Sequence, residues 1–158
     1  MDDEMTIIVF SNDLDRILAS FILSTGAVTM GLKPTMFFTF WGLNVLKKEK
    51  ATRSPAGWIK KMMSLINRRR ADSLKLSQFH MFGIGTAFMK KIMNKSKIPS
   101  VPEMITMAKE LGVKIIACTT TMEIMGVHQD DLIEEVDNVA GVATYLSTAK
   151  LSKVNLFV

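Results

Sequence analysis

The sequence predicts an α/β fold: one domain over residues 1–158, built on a doubly wound, mostly parallel sheet of about five strands with helices on both faces. Three observations predict it. Short runs rich in β-branched and aromatic residues recur at MTIIVF, TMFFTFW, VKIIA and KVNLFV, and they are apolar at consecutive rather than alternate positions. That is the pattern of strands covered on both faces, as in parallel sheets. Segments with apolar residues at helical spacing lie between them, the order a βαβ crossover requires. Finally, 158 residues with 48% hydrophobic and 22% charged side chains are enough for one large core and short for two.

In chain order, residues 5–10 make the first strand, and SNDLD turns it into a helix that Ser11, Asn12 or Asp13 can cap. Leu14, Ile17, Leu18, Phe21 and Ile22 share one face of that helix, which runs to Met30 and stops at Gly31. Residues 35–41 form the second strand, and GLNVLKK one or two helical turns. After the polar break KEKATRSPAG, residues 56–70 place Trp58, Ile59, Met62, Met63 and Ile66 on one face and cations on the other. Such a helix covers a sheet edge or lies on a membrane or partner surface. A glycine-marked turn at Gly83 and Gly85 opens a further helix, and PEMITMAKELG is a short one ended by Gly112. VKIIA is the third clear strand, DLIEEVDNVAGVATYLSTAK is mostly helical, and KVNLFV is the last strand. The thirteen methionines mostly fall at helical core spacing and are expected to pack in the core rather than form a metal site.

Composition narrows the function classes. The longest uncharged stretch, Ile17 to Leu32, is too short and too polar to span a membrane, and the acidic MDDE start is unlike a secretory leader. One cysteine makes no internal disulfide, which fits a reducing compartment, so a cytoplasmic location is expected. The net charge of +5 is concentrated between Lys47 and Lys97, a zone that attracts anions. It carries no nucleic-acid reader motif, so no specific nucleic-acid partner is expected; peripheral membrane association through 56–70 is the alternative use.

The chemistry centres on Cys118, the single cysteine, at the end of the third strand. In open parallel sheets ligands bind outside the carboxyl ends of the strands. TTTMEIMG follows it as a helix start, so the thiol would face unpaired N–H groups that favour thiolate. A buried structural cysteine is the competing reading, and position alone leaves both open. His80 or His128 would have to approach through turns to make a Cys–His pair, and that also stays open. A CxxC redox cycle is excluded, and no zinc ligand set is present; no metal and no cofactor are expected. The GIGT turn is too incomplete for a dinucleotide fingerprint. The strand-end loops carrying Asn12 and Asp13, then Phe40, Trp41 and Gly42, should reach the same rim, with Gly83 and Gly85 beside it.

The segments TIIVFSNDLD, the helix to TMGLKP, FFTFWGLNVLKK, GIGTAFMKKIM, IPSVPEMITMAKELGVKIIAC, MEIMGV and GVATYL resemble the DsrE/DsrF-like sulfur-relay family over nearly the whole chain. The resemblance implies parallel α/β subunits assembled as trimers or hexamers, homomeric or mixed, and a homo-oligomer is expected here. It also implies a cysteine that carries sulfane sulfur or thiosulfonate. Cys118 matches that cysteine, at the start of the family's A-C-x-x-S-M-D-x-M-G pattern. Thr119, Thr120, Thr121, Met122, Met125 and Gly126 complete the segment, with Thr120-Thr121 before Met122 and Glu123 in place of the aspartate. The paired glycine of the relatives is Ala140-Gly141 here. The implied function is a sulfur carrier or sulfurtransferase that takes sulfur from small sulfur anions or from TusA-like, rhodanese or heterodisulfide-reductase-like proteins and passes it to a partner thiol. A non-catalytic scaffold subunit is the alternative, and a thiol peroxidase-like protein the third.

Overall fold

In the computed structural model, which describes residues 3–48, 71–78 and 81–158, the run EMTIIV forms β1 (Glu4–Val9). Helix α1 (Leu14–Thr29) then returns the chain to β2 (Lys33–Phe38), parallel to β1 from Glu4↔Lys33 to Val9↔Phe38. Pro34 is accommodated in a central strand because pairing on β2's other side begins one residue later, at Thr35↔Lys114. A 3₁₀ segment (Phe40–Leu46) follows, and beyond it α2 (Ile84–Lys95), α3 (Val101–Glu110), β3 (Lys114–Cys118) and α4 (Thr119–Met125). The chain closes with β4 (Asn138–Ala140), α5 (Val142–Ala149) and β5 (Val154–Phe157). The amphipathic segment 56–70 and His80 lie outside the described residues.

All strand pairings are parallel, in the order β4-β3-β2-β1-β5. The sheet is therefore the expected five-stranded α/β sheet. Each step from β1 to β4 moves the same way, and the last crossover reverses to put β5 against β1. With right-handed crossovers, that reversal carries α5 to the opposite face from α1 and α3.

The two faces bury different amounts of material. Ile7, Val9, Met36, Phe38, Ile115 and Ala117 point into the main core with Ile17 and Phe21 of α1, Met104 and Ile105 of α3 and Met122 of α4. On the other face Phe37, Ile116 and Cys118 pack under Tyr145 of α5, with Ile8, Ala140 and Ala149 at the margin. The Phe37 and Tyr145 rings lie 5.1 Å apart, and the Tyr145 hydroxyl is 3.2 Å from that of Thr6, which satisfies the polar end of a buried ring. Met5, Met36, Met93, Met104, Met122 and Met125 are buried, as core packing predicts, whereas Met30 and Met107 are exposed. No helix among the described residues is long and apolar enough to cross a membrane.

Two predicted elements differ. The second strand stops at Phe38 rather than running through Trp41, because the chain turns at Thr39 into the 3₁₀ segment. The stretch after Asp131, predicted mostly helical, is helical only over Val142–Ala149, and Asn138–Ala140 is a strand. Its cause is tertiary. The Asp137 carboxylate accepts the Ile115 N–H at 2.8 Å while the Asp137 N–H donates to the Ile115 carbonyl at 2.9 Å. This side-chain mimic of a ladder rung pins the chain to the β3 edge and overrides local propensity.

Candidate functional site

Strand register brings the site together. Phe38 pairs with Ala117 and Cys118 pairs with Ala140, so the ends of β2, β3 and β4 reach one level of the carboxyl rim. Thr39, one residue past β2, therefore stands beside Cys118. Cys118 is 5% exposed, in the small core on the α5 face. Cys118 is also the cap residue of α4, with extended backbone angles and no side-chain cap hydrogen bond.

Among the described residues no charged group acts on the sulfur; burial and hydrogen bonds set its ionisation. Burial is the largest influence and pushes the thiol up. Against it stand the Thr121 N–H, the Thr121 and Thr39 hydroxyls and the Thr120 N–H, which together hold the thiol below its ordinary value. The two hydroxyls lie 2.9 Å apart, and the Phe40 N–H donates to the Thr121 hydroxyl oxygen at 3.1 Å. Phe40 takes a left-handed conformation, φ 45°, unusual outside glycine. Its ring packs 5.1 Å from Phe10, which lies 5.7 Å from Phe157. Phe40 and Trp41 are exposed, so an aromatic rim borders a nearly buried thiol.

Gly42 fixes where this rim sits. A Cβ there would lie 2.2 Å from the Val9 carbonyl oxygen. The turn is bonded to β1 and the loop after it through Thr39 N–H to Val9 O at 3.0 Å and Gly42 N–H to Phe10 O at 2.9 Å. Only a residue without a side chain permits that approach.

The other sequence candidates separate into two groups. Phe40, Trp41, Gly42, Thr120 and Thr121 join Cys118 at the rim, with Thr119 half-buried beside Gly141. Met122 and Met125 are buried on α4, and Gly126 ends that helix with φ 65°. Asp13 is turned to structural work: its carboxylate accepts the Ser11 hydroxyl at 2.8 Å and lies 3.9 Å from Arg16, and Asn12 is half-buried in the same loop. Gly83 begins α2 with φ 100°, and Gly85 lines a groove with Asp15, Leu76, Ser77, Phe88 and Met89. Neither supplies a donor to the sulfur. His128 is exposed, and its N–H donates to Asp131 at 3.0 Å at the start of a short 3₁₀ turn. The residue that sequence reading missed is Thr39. Its signal was the level it shares with Cys118 once the ends of TMFF and KIIAC are aligned.

A model of the DsrE/DsrF/DrsH-like family matches residues 1–157. The chain is 39% identical over 153 residues to the uncharacterized protein YrkE of Bacillus subtilis, covering 97% of this chain and 95% of that one. It is 30% identical over 156 residues to the sulfur carrier protein DsrE2 of Allochromatium vinosum, covering 98% of each. Among solved structures, MTH1491 from Methanobacterium thermoautotrophicum, a protein of unknown function, superposes with a TM-score of 0.58 at 14% identity. That match covers 98% of this chain and 99% of the other. At that identity the likeness speaks for the fold.

Proposed function

The chain belongs to the DsrE/DsrF/DrsH-like family, and on that premise we propose that it is a sulfur carrier whose Cys118 takes a sulfane sulfur from a donor and hands it to a partner thiol. The observation that carries this reading is the place of Cys118, at the carboxyl end of β3 and the start of α4, on the same rim as the Thr39–Thr121 hydroxyl pair and the Phe40–Trp41 aromatic edge. Donors placed where negative charge rests are the means by which a site stabilises an anion. The DsrE2 relative is named a sulfur carrier, and a sulfur-relay role follows the family.

The step conserves atoms and electrons. The Cys118 thiolate attacks the outer sulfur of a donor persulfide, forming a new S–S bond while the donor's own S–S bond breaks. The donor thiolate leaves with the electron pair, and Cys118 holds the persulfide. Attack by an acceptor thiolate on that outer sulfur regenerates Cys118. With tetrathionate, attack on an inner sulfur expels thiosulfate and leaves a thiosulfonate on Cys118. No net oxidation occurs, so no cofactor or second cysteine in the chain is required. The acceptor thiol belongs to a partner of the TusA-like, rhodanese or heterodisulfide-reductase-like kind. The exposed apolar residues Val142, Leu146, Leu151 and Phe157 are where a homo-oligomer would bury surface.

The test is mass spectrometry of the intact protein after incubation with glutathione persulfide or tetrathionate, with Cys118→Ala alongside. A gain of one sulfur, or of a thiosulfonate group, on wild type and none on the variant is expected. No gain on wild type, or a gain that survives the substitution, overturns the reading.

A further inference from the structure

We propose that the exposed face of α2, with Phe82 ahead of it, docks on an anionic lipid membrane. Its apolar side chains enter the headgroup boundary and its lysines meet the lipid charge. This use of the fold is independent of the chemistry of Cys118.

Spacing and exposure define the face. Ile84, Phe88 and Ile92 recur every fourth residue, so they share one stripe along the 12-residue helix. They are 70%, 65% and 41% exposed, and Phe82, just before the helix, is fully exposed. Phe82 is left-handed at φ 55° and Gly83 follows at φ 100°, so the chain turns sharply where that ring stands clear of the protein. Thr86 and Met93 lie on the other side of the helix and are its buried residues. The helix therefore has its core side already, and the stripe is a second apolar surface.

Charge selects the partner. Lys91, Lys95 and Lys97 are exposed, while Lys90 donates to the Asp72 carbonyl at 2.6 Å. From Ile84 to Lys97 the sequence has no acidic residue. Protein interfaces are depleted in lysine, and a second copy of this face would bring the same cations with no carboxylate on the helix to meet them. Helices that lie in a membrane interface have the opposite preference. They combine aromatic and aliphatic side chains with lysines whose alkyl stems reach back to the headgroups. At 12 residues α2 is about 18 Å long, enough to lie along a surface and too short to span it. Each lysine near an anionic surface strengthens binding about fivefold, and salt screens that gain.

The experiment is co-sedimentation of the full chain with vesicles of phosphatidylglycerol and phosphatidylcholine in equal parts, and with vesicles of phosphatidylcholine alone. Wild type is expected to bind the anionic vesicles, to bind the neutral ones far less, and to lose affinity as salt rises. Phe88→Ser should weaken binding to the anionic vesicles about tenfold. Lys91→Ala combined with Lys95→Ala should weaken it about twenty-five-fold. All three side chains are exposed, so circular dichroism melts of the variants should match wild type, and the comparison of the two vesicle types needs no variant. Absence of binding to anionic vesicles overturns the proposal. Binding that these substitutions leave unchanged also overturns it, because the contact would then lie elsewhere on the chain. Sedimentation velocity addresses a second copy as the occupant: a wild-type assembly that Phe88→Ser dissociates, without vesicle binding, assigns the face to self-association and overturns the proposal too.

Discussion

Gly42→Ala tests whether the fold and the thiol are coupled through the turn after β2. The added methyl would sit 2.2 Å from the Val9 carbonyl oxygen, a backbone atom that cannot rotate away. Relief requires the turn to move off β1 by about 1 Å to reach an ordinary contact. The bonds that hold it there, Thr39 N–H to Val9 O at 3.0 Å and Gly42 N–H to Phe10 O at 2.9 Å, would then stretch out of hydrogen-bond range. Each is worth about 0.5–1.5 kcal/mol net. The lower chain entropy of alanine when unfolded returns about 0.4–1 kcal/mol. The balance is a loss of about 1–2 kcal/mol, or roughly 2–8 °C in melting temperature for a chain of this size. Thr39 and Phe40 travel with the turn, so the Thr39 hydroxyl and the Phe40 N–H withdraw from Thr121. The thiol should then titrate higher, and its alkylation at neutral pH should slow. Urea denaturation reads the first effect and alkylation the second. A variant as stable as wild type with an unchanged alkylation profile would refute the close approach and the coupling together.

Two further substitutions check the scaffold. Asp137→Ala leaves the Ile115 N–H without the acceptor it has at 2.8 Å and should cost about 1–3 kcal/mol, with faster amide exchange at Ile115. Lys109→Ala, which removes only the partly exposed ion pair to the same carboxylate, should cost under about 1 kcal/mol by the same denaturation measurement. At α3, the Ser100 hydroxyl and then its N–H donate to the Glu103 carboxylate and hold it below its ordinary value of 4.5. The stabilisation of this depressed carboxyl is fully present above pH 4.5 and is lost as pH falls through the lower folded value. Denaturation curves across that acid range should therefore show less pH dependence for Glu103→Gln than for wild type.

What the sequence made legible was whatever local pattern alone determines. Runs such as IIVF and KIIA are apolar at every position because both faces of a parallel strand are covered, and α1 and α3 announce themselves by spacing and end signals. β4 was hidden because three residues, Asn138–Ala140, have no period of their own; the strand exists through Asp137 and the edge of β3. At the site, Cys118 and the threonines after it stood out because they are contiguous. Asn12, Asp13, Gly83 and Gly85 were reached by the rule that strand-end loops share a rim, which places a loop without saying which way its side chains turn. Asp13 turns to Ser11 and Arg16, whereas Thr39, in an otherwise apolar run, turns to Thr121 beside Cys118.

The choice of donors bears on what a carrier must do. A lysine or histidine cation beside Cys118 would lower the thiol further, but a thiolate loses intrinsic nucleophilicity as its acidity grows, and attack is fastest when its pKa lies near ambient pH. A carrier also has to release what it takes, so the sulfur that attacks the donor must later leave when an acceptor attacks the outer atom. Neutral hydroxyl and backbone donors working against burial are suited to both demands. They keep enough anion present to attack, they do not bind it so tightly that transfer runs one way, and they stabilise Cys118 again as it departs from the persulfide as a thiolate. On this argument a cation introduced at the rim, as in Thr120→Lys, should increase the thiolate fraction at neutral pH yet gain less than proportionately in the rate of sulfur uptake. Uptake rising in full proportion to thiolate would show that ionisation alone limits this thiol.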